Sequence, residues 1–200
     1  MNPVLWTCLV FMLCGSCMSC YPDQHPKETG SFTDPRDGKT YKTVRIGDQW
    51  IMAENFAYRP DGGKYWAYDN DSGNGSTYGY LYDWETANNI APDGWHLPSK
   101  KEWKIFRKSL GSNMEIMSLE RKVYRKMIPG GSSGFNALFG GAYMSAYDQF
   151  REMGESACFW SSSLSRNGPV NYFLERKGRY AMLTGYADAK GGKSVRLFKD

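Results

Sequence analysis

Histidine and cysteine, the residues most soluble chemistry is built on, are almost missing from this chain. Two histidines, His25 and His96, occur in 200 residues, and four of the five cysteines fall within the first 20 positions, leaving Cys158 alone in the rest. A zinc site built on histidine and cysteine is excluded by count. A single remaining cysteine cannot make an internal disulfide, so the fold must be held by its core. There is no basic run of five or six residues and no aromatic-interleaved basic stripe, although 25 Lys and Arg against 21 Asp and Glu leave a formal charge of +4. Nucleic acid is therefore not the expected partner. No internal repeat or low-complexity tract is present, and no apolar run approaches the roughly 20 residues a membrane span requires.

What stands at the N-terminus is more telling. Residues 1–20, MNPVLWTCLVFMLCGSCMSC, carry no charged side chain and hold a short apolar run from Val4 to Leu13 followed by small residues. That pattern predicts a secretory leader. A cysteine after small residues at the end of such a run resembles a bacterial lipobox, with Cys17 (after Gly15-Ser16) as the expected lipidation site and Cys20 as the alternative. A lipid there contributes roughly 0.8 kcal/mol per buried methylene, and several chains together give stable anchoring. Residues 21–33, rich in Pro, Gly and charge, are expected to form a flexible tether. The folded domain is expected over 34–200, a length that can bury a real core as one unit.

Aromatic residues make up 16% of the chain beside 22 glycines, a mix that favours short strands and many turns. Alternation on either side of Gly47-Asp48 predicts a β-hairpin, with Tyr41, Val44 and Ile46 before the turn and Trp50 and Met52 after it. Asp83 can cap a short helix. Ser99-Lys100-Lys101-Glu102 has the spacing of a capping box, and Trp103, Phe106 and Leu110 recur at helical steps toward a core while the lysines between them face water. MEIMSLERKVYRKMI holds one helix or two short pieces. The segments after it, ACFWSSS among them, read as short strands, and burial there makes Cys158 an inert thiol.

The remaining residues offer three candidate chemistries. DNDSGNGS gathers Asp69, Asn70, Asp71 and Asn74, hard oxygen ligands suited to Ca²⁺, although the spacing departs from an EF-hand and plain turns have the same composition. Trp66 with Tyr68, Tyr78 and Tyr80, joined by His96, could form a glycan platform, because sugars lay apolar C–H faces on aromatic rings while Asp and Asn take the hydroxyls. Glycoside hydrolysis needs two carboxylates about 5 to 10 Å apart; Asp83 with Glu85 and Glu152 with Glu155 are close in sequence, but both pairs read as helix-end or exposed-loop residues. Nothing supplies His96 with a nucleophile, so no residue is assigned a catalytic role.

Six segments, TVRIGDQWIMAENFAY, YGYLYDWETANN, APDGWHLPSKKEWKIF, GFNALFGGAY, FWSSS and SVRLFKD, are similar in order and spacing to the Fibrobacter succinogenes major paralogous domain family, whose members are exported and often lipidated. GWHLPSKKEW also resembles a block of formylglycine-generating-enzyme-like and C-type-lectin-like domains. The resemblance implies an α+β, C-type-lectin-like fold with short twisted antiparallel strands, two helices and long loops. It does not bring the oxidase chemistry, which requires a cysteine pair this domain lacks. The expectation is a bacterial outer-membrane lipoprotein, facing the cell surface or the periplasm, whose domain binds a glycan or a surface protein without catalysis and without a cofactor other than a candidate Ca²⁺. A structural subunit of a surface assembly and a carboxylate-dependent glycan hydrolase are the alternatives.

Overall fold

The computed structural model describes residues 27–113, 117–184 and 187–200. The leader 1–20, with Cys17 and Cys20, and residues 21–26 of the tether lie outside the described residues. The architecture is α+β, mostly short antiparallel strands with a few helices. No helix among the described residues is long and apolar enough to cross a membrane.

The first sheet grows from the hairpin at Gly47-Asp48. β2 (Thr40–Ile46) buries Tyr41, Val44 and Ile46 and turns back into β3 (Gln49–Met52). Gly47 takes φ +60°, which suits glycine at the first position of a two-residue hairpin turn. β3 pairs with β13 (Phe198–Lys199), which pairs in turn with β6 (Trp95–His96), so the end of the described chain is stitched between two early segments. The outer strand is β1 (Thr29–Thr33), paired with β2 from Thr29↔Val44 to Thr33↔Thr40. These residues were expected in the flexible tether. An edge strand is held by backbone pairing and so needs no apolar period; Phe32 adds a ring contact to Trp95 at 5.1 Å, and Glu28 an ion pair to Arg45 at 3.2 Å.

The second sheet is ordered β11-β10-β9-β12-β5-β4. Its strands are β4 (Tyr65–Trp66), β5 (Leu81–Tyr82), β9 (Ser156–Ser165), β10 (Gly168–Glu175), β11 (Tyr180–Thr184) and β12 (Lys193–Ser194). A hairpin of β7 (Gly140–Met144) and β8 (Gln149–Met153) joins it through a parallel bridge from β7 to β9. Cys158 is buried on β9, and burial pushes its thiol up, as expected for an inert group.

Four α-helices are present among the described residues, against the two that the family resemblance implies. α2 (Trp84–Asn89) starts at Asp83, whose carboxylate accepts the Thr86 N–H at 2.8 Å, and α3 (Lys100–Ser109) starts at the Ser99–Glu102 capping box. α4 (Met117–Met127) makes a single helix of the stretch left open between one helix and two pieces. The unexpected one is α1 (Ser72–Tyr78), inside the segment read as a Gly-rich loop. SGNGSTY has poor helix propensity, so its ends do the work: Asp71 accepts the Gly73 N–H at 2.8 Å, and Gly79 closes the turn on the Gly75 carbonyl at 3.1 Å.

Two aromatic clusters fill the interior. Trp103 centres one: it is fully buried, stacks on Tyr172 at 4.7 Å and meets Phe198 at 5.2 Å. Arg196, also fully buried, ties three segments together by donating to the Asn55 Oδ1 at 2.7 Å and to the carbonyls of Met52, Phe135 and Asn136 at 3.0, 2.6 and 2.7 Å. Burial without a carboxylate in contact lowers its pKa to about 9, against an opposing pull from Glu54.

Candidate functional site

His96 sits at the entry to α3, as the sequence places it, and both ring nitrogens are engaged. Nε2 lies 2.7 Å from Glu102 Oε1 and Nδ1 lies 2.5 Å from Asp200 Oδ1. Glu102 also closes the capping box, accepting the Ser99 N–H at 2.7 Å while the Ser99 hydroxyl accepts the Glu102 N–H at 3.2 Å. Burial disfavours the imidazolium, but the hydrogen bonds to Asp200 and Glu102 outweigh it and raise the His96 pKa. Burial likewise works against the Glu102 carboxylate, and its bonds to Ser99 and His96 prevail and lower its pKa. The result is a clamp joining the helix start to the last strand, with no ring nitrogen facing a ligand.

The open chemistry lies elsewhere. A cleft of about 360 Å³ is lined by Trp66, Asp69, Asn70, Tyr143, Asp148 and Phe150. Trp66, at the end of β4, stacks on Tyr143 of β7 with ring centroids 4.4 Å apart at 26°, and Tyr143 meets Phe150 of β8 at 5.2 Å. Tyr143 exchanges backbone hydrogen bonds with Gly192 in both directions, each 2.9 Å, which fixes the ring pair against the turn before β12. A Cβ on Gly192 would come within 2.9 Å of the Trp66 ring, so glycine is what lets that ring lie flat there. The Tyr143 hydroxyl donates to Asp148 Oδ1 at 2.7 Å; that bond, with burial adding to it, raises the tyrosine pKa.

The polar side of the cleft is backbone-strained. Asp69, Asn70 and Asp148 have φ of 52°, 56° and 49°, the left-handed region, where a side chain is disfavoured. The side chains of Asp69 and Asn70 make no hydrogen bond with any described residue. Asp69, Asn70 and Asp148 are exposed, so their polar groups face solvent beside the stacked rings and are accessible to a ligand.

The cleft includes only some of the residues singled out from sequence. Trp66 lines it, and Tyr68 packs on Phe150 at 5.2 Å without lining it. Tyr80 is buried with its hydroxyl bound by the Arg59 Nε at 2.5 Å, and Tyr78 packs its Cβ against Gly140, so neither lines the cleft. His96 belongs to the clamp. Of the Ca²⁺ quartet, Asp69 and Asn70 line the cleft, whereas Asp71 caps α1 and the Asn74 amide donates to the Tyr68 carbonyl at 3.1 Å. Among the described residues no group of three or more His, Cys, Asp or Glu side chains is placed to hold a metal. Tyr143, Asp148 and Phe150 escaped the sequence reading, although the aromatic residues flanking the turn in AYMSAYDQF were a usable signal.

The carboxylate pairs are largely engaged in the fold. Asp83 and Glu85 line a separate open pocket of about 370 Å³ with Lys64 and Thr86, and Asp83 is the cap of α2. Glu152 accepts the Ser156 hydroxyl at 2.7 Å.

Compared with known proteins, the chain matches the family model described as Fibrobacter succinogenes major domain over residues 44–199. No curated protein and no solved structure matches it.

Proposed function

Because the chain belongs to the Fibrobacter succinogenes major domain family, whose description names no activity, we propose on chemical grounds that it is an exported lipoprotein with a non-enzymatic glycan-binding domain. The carrying observation is the cleft: three aromatic rings beside Asp69, Asn70 and Asp148, two of them with side chains left unengaged. Ring faces suit the apolar C–H surface of a sugar, and the Asp and Asn oxygens suit its hydroxyls. The leader, the lipid on Cys17 (alternatively Cys20) and the outer-membrane location complete this reading, and the closure of β13 between β3 and β6 supports a C-type-lectin-like arrangement. Ca²⁺ enters as a candidate bridging ion at Asp69 and Asn70, with oxygen donors of the right hardness.

The test is a glycan array probed with and without Ca²⁺, followed by affinity measurements on the best ligand. Trp66→Ala is expected to weaken binding at least tenfold while the protein stays folded. Silence across the array under both conditions would end the glycan reading in favour of a surface-assembly subunit. That alternative rests on Met144 and Tyr147, 38% and 65% exposed beside the cleft, and on β8, which pairs with β7 alone. Release of new reducing ends from a bound glycan would instead indicate a hydrolase.

A further inference from the structure

Tyr143 also lines a second, smaller pocket of about 120 Å³, formed with Met144, Ser145, Ala146, Asp188 and Lys193 among others. Lys193 is only 9% exposed, yet its ammonium has no hydrogen-bond acceptor and no carboxylate at ion-pair distance among the described residues. It lies over the face of Trp160, 5.1 Å from the ring centroid, and after the hydrogen bonds from Ser145 and Lys190 its charge helps hold the Asp188 carboxyl below its ordinary pKa. The side chain is packed along its length while the ammonium keeps contact with solvent, so it is open to an acceptor delivered by a ligand. Across the pocket Asp188 is held in place, accepting the Ser145 hydroxyl and the Lys190 N–H.

We propose that this pocket receives the acetamido group of an N-acetylated sugar whose ring lies in the aromatic cleft, an inference that rests on the glycan reading above. The pocket, at about 120 Å³, has room for a small group such as acetamido. Its carbonyl accepts from Lys193, its N–H donates toward Asp188, and its methyl meets Met144 and Ala146. A sugar carboxylate would also accept from Lys193, but it would enter between Asp188 in the pocket and Asp69 and Asp148 in the cleft, so like charges disfavour it. Tyr143 divides the two spaces, and its backbone bonds to Gly192, one residue before Lys193, hold them in register.

The experiment is calorimetric titration of the intact domain with matched tetrasaccharides: chitotetraose, cellotetraose carrying hydroxyls where the first carries acetamido groups, and an oligo-glucuronate. Chitotetraose is expected to bind at least tenfold more tightly than cellotetraose. Lys193→Met should erase that ratio, as should Ala146→Leu, which narrows the pocket from an exposed position and leaves the core untouched. Equal affinity for chitotetraose and cellotetraose, a ratio that survives both variants, or tightest binding by the oligo-glucuronate would overturn the acetamido assignment while leaving a glycan-binding cleft. No binding of any of the three would overturn both readings together.

Discussion

Two regions of this domain use similar materials to opposite effect. Around His96, aromatic residues and carboxylates are packed so that both ring nitrogens have a partner: Glu102 serves the histidine and the helix cap at once, and Asp200 closes the other ring nitrogen. In the cleft, rings and carboxylates again lie side by side, but Asp69 and Asn70 are unengaged, and three residues hold left-handed backbone. Saturated polar groups specify one structure. Exposed ones beside stacked rings are hydrated by solvent, and in the proposed glycan reading they are the groups a ligand meets. The difference moves attention from the histidine, where a reader of the sequence looks first, to the β7–β8 hairpin, whose Asp148 and Phe150 lie beyond the GFNALFGGAY segment.

The comparison breaks most easily at the scaffold. Trp103→Ala removes a fully buried ring that contacts Phe106, Tyr172 and Phe198, and it should cost about 3 to 5 kcal/mol in urea denaturation. A loss below about 1 kcal/mol would mean that the ring is not the centre of the core.

What could be read in advance divides along the same line. The Ser99–Glu102 cap, the Gly47-Asp48 turn and the helical recurrence of Trp103, Phe106 and Leu110 are local patterns, and all three stand in the structure. α1 was illegible because SGNGSTY has no apolar period; it exists through its end caps and through Gly75, where a Cβ would come within 2.8 Å of the Tyr80 ring. β1 was illegible because an edge strand can be held by backbone pairing alone. The cleft was half legible: Trp66, Asp69 and Asn70 lie in one segment that attracted notice, but the ring that stacks on Trp66 arrives from β7 through tertiary packing. Likewise nothing in SVRLFKD says that its arginine is the buried one, since that depends on carbonyls supplied by Met52, Phe135 and Asn136.

A subtler perturbation separates stability from function within the cleft. Asp69 holds φ 52° and no side-chain hydrogen bond, so Asp69→Gly relieves a left-handed strain of about 1 to 2 kcal/mol against a glycine entropy cost of about 0.5 to 1. The net expectation is a gain of about 0.5 kcal/mol in denaturation, together with weaker glycan binding. A variant that becomes less stable would show that Asp69 serves the fold, as the residues of the clamp do.

The smallest effect belongs to the clamp itself, and its sign is fixed by the two pKa shifts. His96 is raised from its ordinary 6.5, so its contribution is complete below that pH and is lost as pH rises through the raised value. Glu102 is lowered from its ordinary 4.5, so its contribution is complete above that pH and is lost as pH falls through the lowered value. Both are therefore complete between 4.5 and 6.5. Because His96 and Glu102 are part-exposed, solvent screening keeps the effect to about 1 kcal/mol or less. Comparing the protein with His96→Gln by urea denaturation at a series of pH values should give the widest stability gap near the acid end of neutrality, narrowing as the imidazolium loses its proton. A gap unchanged up to pH about 9, well above the ordinary histidine range, would mean that the ring works through its shape and not its charge. A gap that narrows leaves the histidine a part of the scaffold all the same, since the charged ring donates Nδ1–H to Asp200 and Nε2–H to Glu102 and so has no N–H left for a ligand.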